Sequence, residues 1–167
     1  MSQKYSSFEV FQIAEQIESN GEKFYRQAAK IFEKDQVHTL FSRLADWETD
    51  HQKLFARMRK EFTDQINRLG TFDPDDYMSS NPGAMAELTA FAINHDPAKW
   101  FKPNEKITHI LRKAIKNEKD TITFYVGLRE FTKDIEAKLA IERLILEEKH
   151  HVQILKESLE QRVAAEK

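Results

Sequence analysis

Cysteine is absent from the 167 residues. That excludes disulfides, thiolate metal ligands and a cysteine nucleophile. Glycine and proline are scarce, at four each. A sheet with many tight turns needs more of both, so the composition favours long helices. No apolar run is long enough to span a bilayer, and residues 1–10 lack the charged-then-apolar pattern of a leader. No membrane partner is expected, and the cytoplasm is the default location. Neither sign of charge dominates: 26 Lys and Arg stand against 28 Asp and Glu, net −2, mixed along the chain. Without a basic stripe, nucleic acid is not an expected partner. The length suits one domain, residues 1–167, with a substantial core.

What the chain does have is helical periodicity. Ser6-Ser7-Phe8-Glu9 reads as a capping box. Phe11, Ala14, Glu18, Gly21, Tyr25, Ala28 and Phe32 then follow in steps of three and four, one face of a helix. Glu33-Lys34-Asp35 interrupts, and the pattern resumes with Val37, Phe41, Leu44, Glu48, His51, Phe55, Met58 and Phe62. A third run is Ile107, Leu111, Ala114, Glu118, Thr121, Tyr125 and Leu128. The fourth, after Thr132-Lys133-Asp134, is Ala137, Ile141, Leu144, Glu148, His151 and Leu155. These runs predict helices over 7–32, 36–66, 104–131 and 134–163, and a charged, solvated end from Lys156 to Lys167.

Residues 67–103 differ. Gly70, Asp73-Pro74, Asn81-Pro82-Gly83 and Asp96-Pro97 are turn signals. Met85, Leu88, Phe91 and Ala92 could form one short amphipathic helix between them. The segment is expected to carry the chain from the second long helix to the third.

Six residues do not suit their stripes: Glu18, Glu48, His51, Glu118, Glu148 and His151. They repeat at an offset of 100, because Glu18 maps on Glu118, Glu48 on Glu148 and His51 on His151. Tyr25 and Leu44 map on Tyr125 and Leu144 by the same shift. Helices joined by a tight loop run antiparallel, and residues equally far from the loop share a level. Glu18 and Glu48 are each fifteen residues from position 33, and Glu118 and Glu148 are each fifteen from 133. That is roughly 22 Å at ~1.5 Å per residue. If the two hairpins pack face to face, all six side chains converge at mid-bundle.

Four carboxylates buried together cannot stay bare. Shared protons do not account for two histidines at matched positions. Two divalent cations do, with their charge of +4 against four carboxylates and neutral imidazoles completing the shells. Glu and His three apart share one helix face and so can bind one ion. A Glu from each of two helices and Glu-x-x-His from each of the other two is the inventory of ferritin-like carboxylate bundles. Mixed carboxylate and imidazole donors suit iron or manganese, and the lack of thiolate weakens structural zinc.

Glu18-Ser19, Gly21, Phe24-Tyr25, Ala28-Ala29, Leu44-Ala45, Glu48 and His51 resemble the first hairpin of the rubrerythrin branch of the ferritin-like superfamily. Glu118, Phe124-Tyr125 and Glu147-Glu148-Lys149-His150-His151 resemble the second. The resemblance covers most of the chain outside 67–103. It implies an all-α, antiparallel four-helix bundle of two hairpins joined by a long crossover. It also implies two iron ions per site, with manganese or zinc as alternatives, and reduction of peroxide or dioxygen. Rubrerythrins proper carry a rubredoxin-like domain with four cysteines. This chain has none, so a separate donor, such as a rubredoxin-type protein, is expected to supply electrons. Rubrerythrins proper also use a further carboxylate ligand, for which Glu22, Asp120 and Glu147 are the candidates.

Rival readings remain at this point. The site could serve ferrous oxidation and iron storage, or merely stabilise a non-catalytic bundle. Glu147 and His150 form a competing Glu-x-x-His, although Arg143 lies on their stripe. Tyr25 and Tyr125 could bond to metal ligands or take part in redox steps, or could be plain core aromatics. Gly21 could permit a close approach. His38, His95 and His109 read as surface or loop residues, and Trp47 and Trp100 as packing. An apolar strip outside the core, including Phe8 and Phe131, is the expected basis of a homodimer.

Overall fold

The computed structural model describes residues 7–68, 101–102, 104–132 and 135–165, without the side chains of 7–10, 62–63, 65–68 and 131. Among the described residues there are four helices and no strand. They are α1 (Ser7–Ile31), α2 (Val37–Arg68), α3 (Ile107–Phe131) and α4 (Ile135–Ala165). Each lies within three residues of its predicted bounds. The largest difference is the start of α3, predicted at 104. Asn104 has φ 62° and Lys106 is extended at ψ 143°, so the helix can begin only after them. The short helix expected near Met85, the Ser6 cap, His95 and Trp100, and the Phe8 and Phe131 side chains lie outside the described residues.

The α1–α2 turn is fixed by Asp35. Its carboxylate accepts from the Val37 amide at 2.9 Å, which satisfies one of the amides left open at the start of α2. Its backbone carbonyl accepts from the His38 amide at 3.0 Å. Arg162, near the end of α4, also pairs with Asp35 and ties the second hairpin to the first one's loop. Burial works to raise the Asp35 pKa, but the Val37 amide and Arg162 outweigh it and hold the carboxylate below its ordinary value. At the other turn the Thr132 amide and hydroxyl both donate to the Leu128 carbonyl, at 2.9 and 2.8 Å, and end α3.

The apolar residues form two separate clusters. One joins Phe24, Ala28, Phe41, Leu44, Ile110, Leu111, Ala114 and Leu155. The other joins Phe11, Ala14, Phe55, Met58, Tyr125, Leu128, Ile141 and Leu144. Every helix contributes to both. Chain order through the clusters gives the directions: α1 and α4 run from the second cluster to the first, and α2 and α3 run the opposite way. This makes each hairpin antiparallel. It also places the end of α2 at the opposite end of the bundle from the start of α3. No helix among the described residues is long and apolar enough to cross a membrane.

Candidate metal centre

Between the two apolar clusters, each helix contributes one polar stretch. Glu18 lies on α1 between Ala14 and Phe24; Glu48 and His51 lie on α2 between Leu44 and Phe55. Glu118 lies on α3 between Ala114 and Tyr125, and Glu148 and His151 lie on α4 between Leu144 and Leu155. All six are buried, with Glu18 and Glu148 at 0 % exposure. The helical spacing that places the apolar neighbours in the core forces these residues to the same depth.

The geometry is of two overlapping groups of donors. Glu18, Glu48, His51 and Glu148 each bring one ligand-type atom within 4.8 Å of the others'. Glu48, Glu118, Glu148 and His151 do the same. Glu48 and Glu148 are common to both groups. The sequence paired Glu18 with its own hairpin's Glu48 and His51; the structure adds the opposite hairpin's Glu148 to that set.

Both imidazoles present Nδ1 to the carboxylates. His51 Nδ1 lies 2.9 Å from Glu148 Oε1 and 3.4 Å from Glu18 Oε2. His151 Nδ1 lies 2.8 Å from Glu148 Oε2, 3.5 Å from Glu48 Oε1 and 3.8 Å from Glu118 Oε1. The two rings lie nearly parallel, 5.6 Å apart. These approaches are close but lack hydrogen-bond directions. Both oxygens of Glu18 and of Glu148, Oε1 of Glu48, and Nδ1 of each histidine are buried without a hydrogen-bond partner among the described residues. Orphaned buried acceptors of this kind are rare and costly. Carboxylate oxygens and imidazole nitrogens converging in this way form a donor set that divalent cations would fit.

Without cations, protons do part of the neutralising. Burial, then repulsion from Glu148, pushes the Glu18 pKa well up. Burial, then Glu18 and Glu148, does the same to Glu48; burial, then Glu148 and Glu48, does it to Glu118. Burial works against charge on the histidines. The neighbouring carboxylates prevail, led by Glu148, and raise His51 to about 9 and His151 to about 10. Burial would raise Glu148 as well, but His151 and His51 on either side hold it below its ordinary value.

The surroundings fix these side chains further. The Tyr25 hydroxyl donates to Glu118 Oε1. Burial, then the Glu118 charge, raises the Tyr25 pKa, so the phenol keeps its proton. Tyr125 is equally buried; it packs on Phe55 at 5.1 Å, and its hydroxyl has no partner among the described residues. Gly21 faces the centre: a Cβ there would stand 2.6 Å from Glu48 Oε2. Of the competing pair, His150 is exposed and Glu147 largely so, its side chain 58 % accessible. Glu147 nevertheless reaches His51, with Oε2 2.8 Å from Nε2. Glu22 instead pairs with Arg26, and Asp120 with Lys116. Trp47 stacks on the His151 ring at 5.0 Å and 9°. Sequence reasoning missed both of these contacts; the signal available was that positions 47 and 147 immediately precede the two ligand-type glutamates. His38 turns its ring to the Ala29 carbonyl at 3.0 Å, and His109 is exposed.

The Rubrerythrin family model matches residues 9–79, a span that holds Glu18, Glu48 and His51. No curated protein matches the chain. A solved structure from Thermotoga maritima, classed as a ferritin-like diiron-carboxylate protein, superposes with a TM-score of 0.70 at 20 % identity. The match covers 97 % of this chain and 99 % of that one. The chain is ferritin-like in fold and rubrerythrin-like over its first hairpin.

Two outcomes are expected from this geometry. Groups with raised folded pKa values stabilise the fold only while protonated. Their contribution is complete below the unfolded values, 4.5 for carboxyls and 6.5 for imidazoles; that of the imidazoles disappears as pH climbs through about 9 for His51 and about 10 for His151, and that of the carboxyls is lost as pH rises above 4.5 through their raised values. Glu148 acts oppositely, losing its contribution in acid below 4.5. The urea midpoint of metal-free protein should therefore fall as pH rises from 6.5 to about 10. A midpoint that rises over that window contradicts the burial of these groups. The second outcome concerns Gly21→Ala. Alanine suits a helix better by about 1 kcal/mol, so metal-free stability should hold or increase. Glu48 must move aside, so divalent-metal affinity measured by calorimetry should fall. Unchanged affinity would show that the close approach is immaterial.

Proposed function

We propose that the chain is a dinuclear iron protein that reduces peroxide or dioxygen with electrons from an external donor. The observation that carries this reading is the pair of four-donor groups sharing Glu48 and Glu148. In it, Glu18, Glu48, His51 and Glu148 would hold one ion, and Glu48, Glu118, Glu148 and His151 the other. Oxygen and imidazole donors without thiolate favour iron or manganese over zinc. When bound, two iron ions supply the two electrons needed to cleave an O–O bond.

The chain's own residues set the conditions for that chemistry. Four carboxylates match the charge of two divalent ions, so the histidines would be neutral when the ions are bound, and the Nδ1 atoms that face the carboxylates would be their ligand atoms. Tyr25 holds Glu118 by donating to it and, with its raised pKa, remains a fixed donor. The apolar clusters above and below, with Phe41 and Phe55 at 0 % exposure, keep bulk water from the layer. The cysteine-free sequence offers no thiol reductant, which supports a donor outside this chain. The whole of 1–167 then acts as one domain around the centre.

Elemental analysis of protein purified without affinity-resin metals tests the proposal. It should give about two iron per chain, and a near-ultraviolet band should appear on adding peroxide to the reduced protein. Glu18→Ala, Glu118→Ala and His151→Ala should each lower the metal content. Full retention in all three would overturn the ligand assignment. A redox-silent metal whose removal lowers only the melting temperature would move the function to a structural role.

A further inference from the structure

The 100-residue repeat matches the six donors pairwise, but it does not match what lies behind the two histidines. Position 147 is Glu and its counterpart, position 47, is Trp. Each sits next to a shared glutamate, and each touches the histidine of the opposite hairpin. Glu147 Oε2 lies 2.8 Å from His51 Nε2. A carboxylate can only accept, so Nε2 carries the proton and Nδ1 is directed at Glu18 and Glu148. Trp47 instead lays its ring over His151, at 5.0 Å and 9°. The Arg43 guanidinium also lies over that indole, 5.0 Å from the ring centroid. Among the described residues, no side chain accepts a hydrogen bond from His151 Nε2.

These two contacts have different consequences for an imidazole donor. An anionic acceptor on the outer nitrogen fixes the tautomer and makes the inner nitrogen a better electron-pair donor. A stacked indole fixes the plane of the ring by dispersion and supplies no acceptor. The Arg43 guanidinium, itself a cation over the ring, adds no acceptor either.

We propose that Glu147 and Trp47 make the two halves of the centre unequal, so that the position served by His51 binds its divalent ion more tightly than the position served by His151. This rests on the dinuclear reading above and adds an order of loading to it. Glu147 is a positioning residue here: it acts through His51. Removing such an outer partner costs 10- to 100-fold in metal affinity. Glu147 is 58 % accessible and water competes for His51 when it is lost, so about tenfold is expected.

The test is an anaerobic titration of the metal-free full-length chain with Co(II) alone, followed by calorimetry and by visible absorption. Two steps are expected. Repulsion between like ions separates the steps even in a symmetric centre, so the deciding result is which step a variant moves. Glu147→Gln keeps a hydrogen-bond acceptor and removes the charge. It should weaken the first step about tenfold and leave the second nearly unmoved. Trp47→Phe keeps a ring over His151 and should leave the first step unchanged. The hyperfine-shifted proton NMR spectrum of the loaded protein gives a second readout. One imidazole N–H should exchange slowly with solvent, and Glu147→Gln should speed its exchange. If Glu147→Gln weakens both steps equally, the residue contributes only general charge and the grading is wrong. If it moves neither step, the hydrogen bond is immaterial and the grading is again wrong. Failure to take up any cobalt would overturn the dinuclear reading itself.

Discussion

Four carboxylates in one dry layer are the constraint on which the rest of this structure depends. Desolvating a charged group costs several kcal/mol even after relaxation. Two carboxylates at ~4 Å repel by roughly 4 kcal/mol at the effective dielectric of a protein surface, and by more inside. A fully buried Leu, Ile or Phe returns about 1.5–3 kcal/mol, so each carboxylate must be offset by more than one such side chain. The arrangement answers this in two ways. Apolar clusters stand on both sides of the layer, and within it cationic partners oppose the negative charge. Without metal these are protons on His51, His151 and the raised carboxyls. Divalent ions bound there would displace those protons, and loading would then be coupled to pH.

Repetition explains how a single chain builds such a layer. Two hairpins with the same register bring the same residue types to the same depth, and a rough two-fold relation then supplies two matched half-sites. Sharing Glu48 and Glu148 between the donor groups follows from packing the hairpins against each other rather than from either hairpin alone. The close approach at Gly21 belongs to the same packing, since α1 has to leave room for a carboxylate from α2. The departures from the repeat, Glu147 against Trp47, fall just outside the donor set, where the protein can alter one half without breaking the other.

Most of the fold was legible because the apolar stripes are long and regular, and because the misfits in them occur at equal distances from two turns. The six buried donors could be named from that register alone. The start of α3 could not, because Asn104 at φ 62° looks like any polar residue until the backbone is seen. Nor could the exchange of Glu148 into the Glu18 set, which depends on the lateral spacing between hairpins. Glu147 was legible as a candidate carboxylate and Trp47 as a packing residue, but their contacts with His51 and His151 were not: each lies one position away from a stripe, and its contact is with a helix remote in sequence.

Two ions are proposed to lie between the two apolar clusters, with Glu48 and Glu148 common to both. Anomalous X-ray scattering from iron-loaded crystals, recorded on either side of the iron absorption edge, tests this most directly. The account predicts two iron peaks per chain, one bordered by Glu18 and His51, the other by Glu118 and His151, with Glu48 and Glu148 touching both. A single peak, or iron located outside this layer, would contradict it.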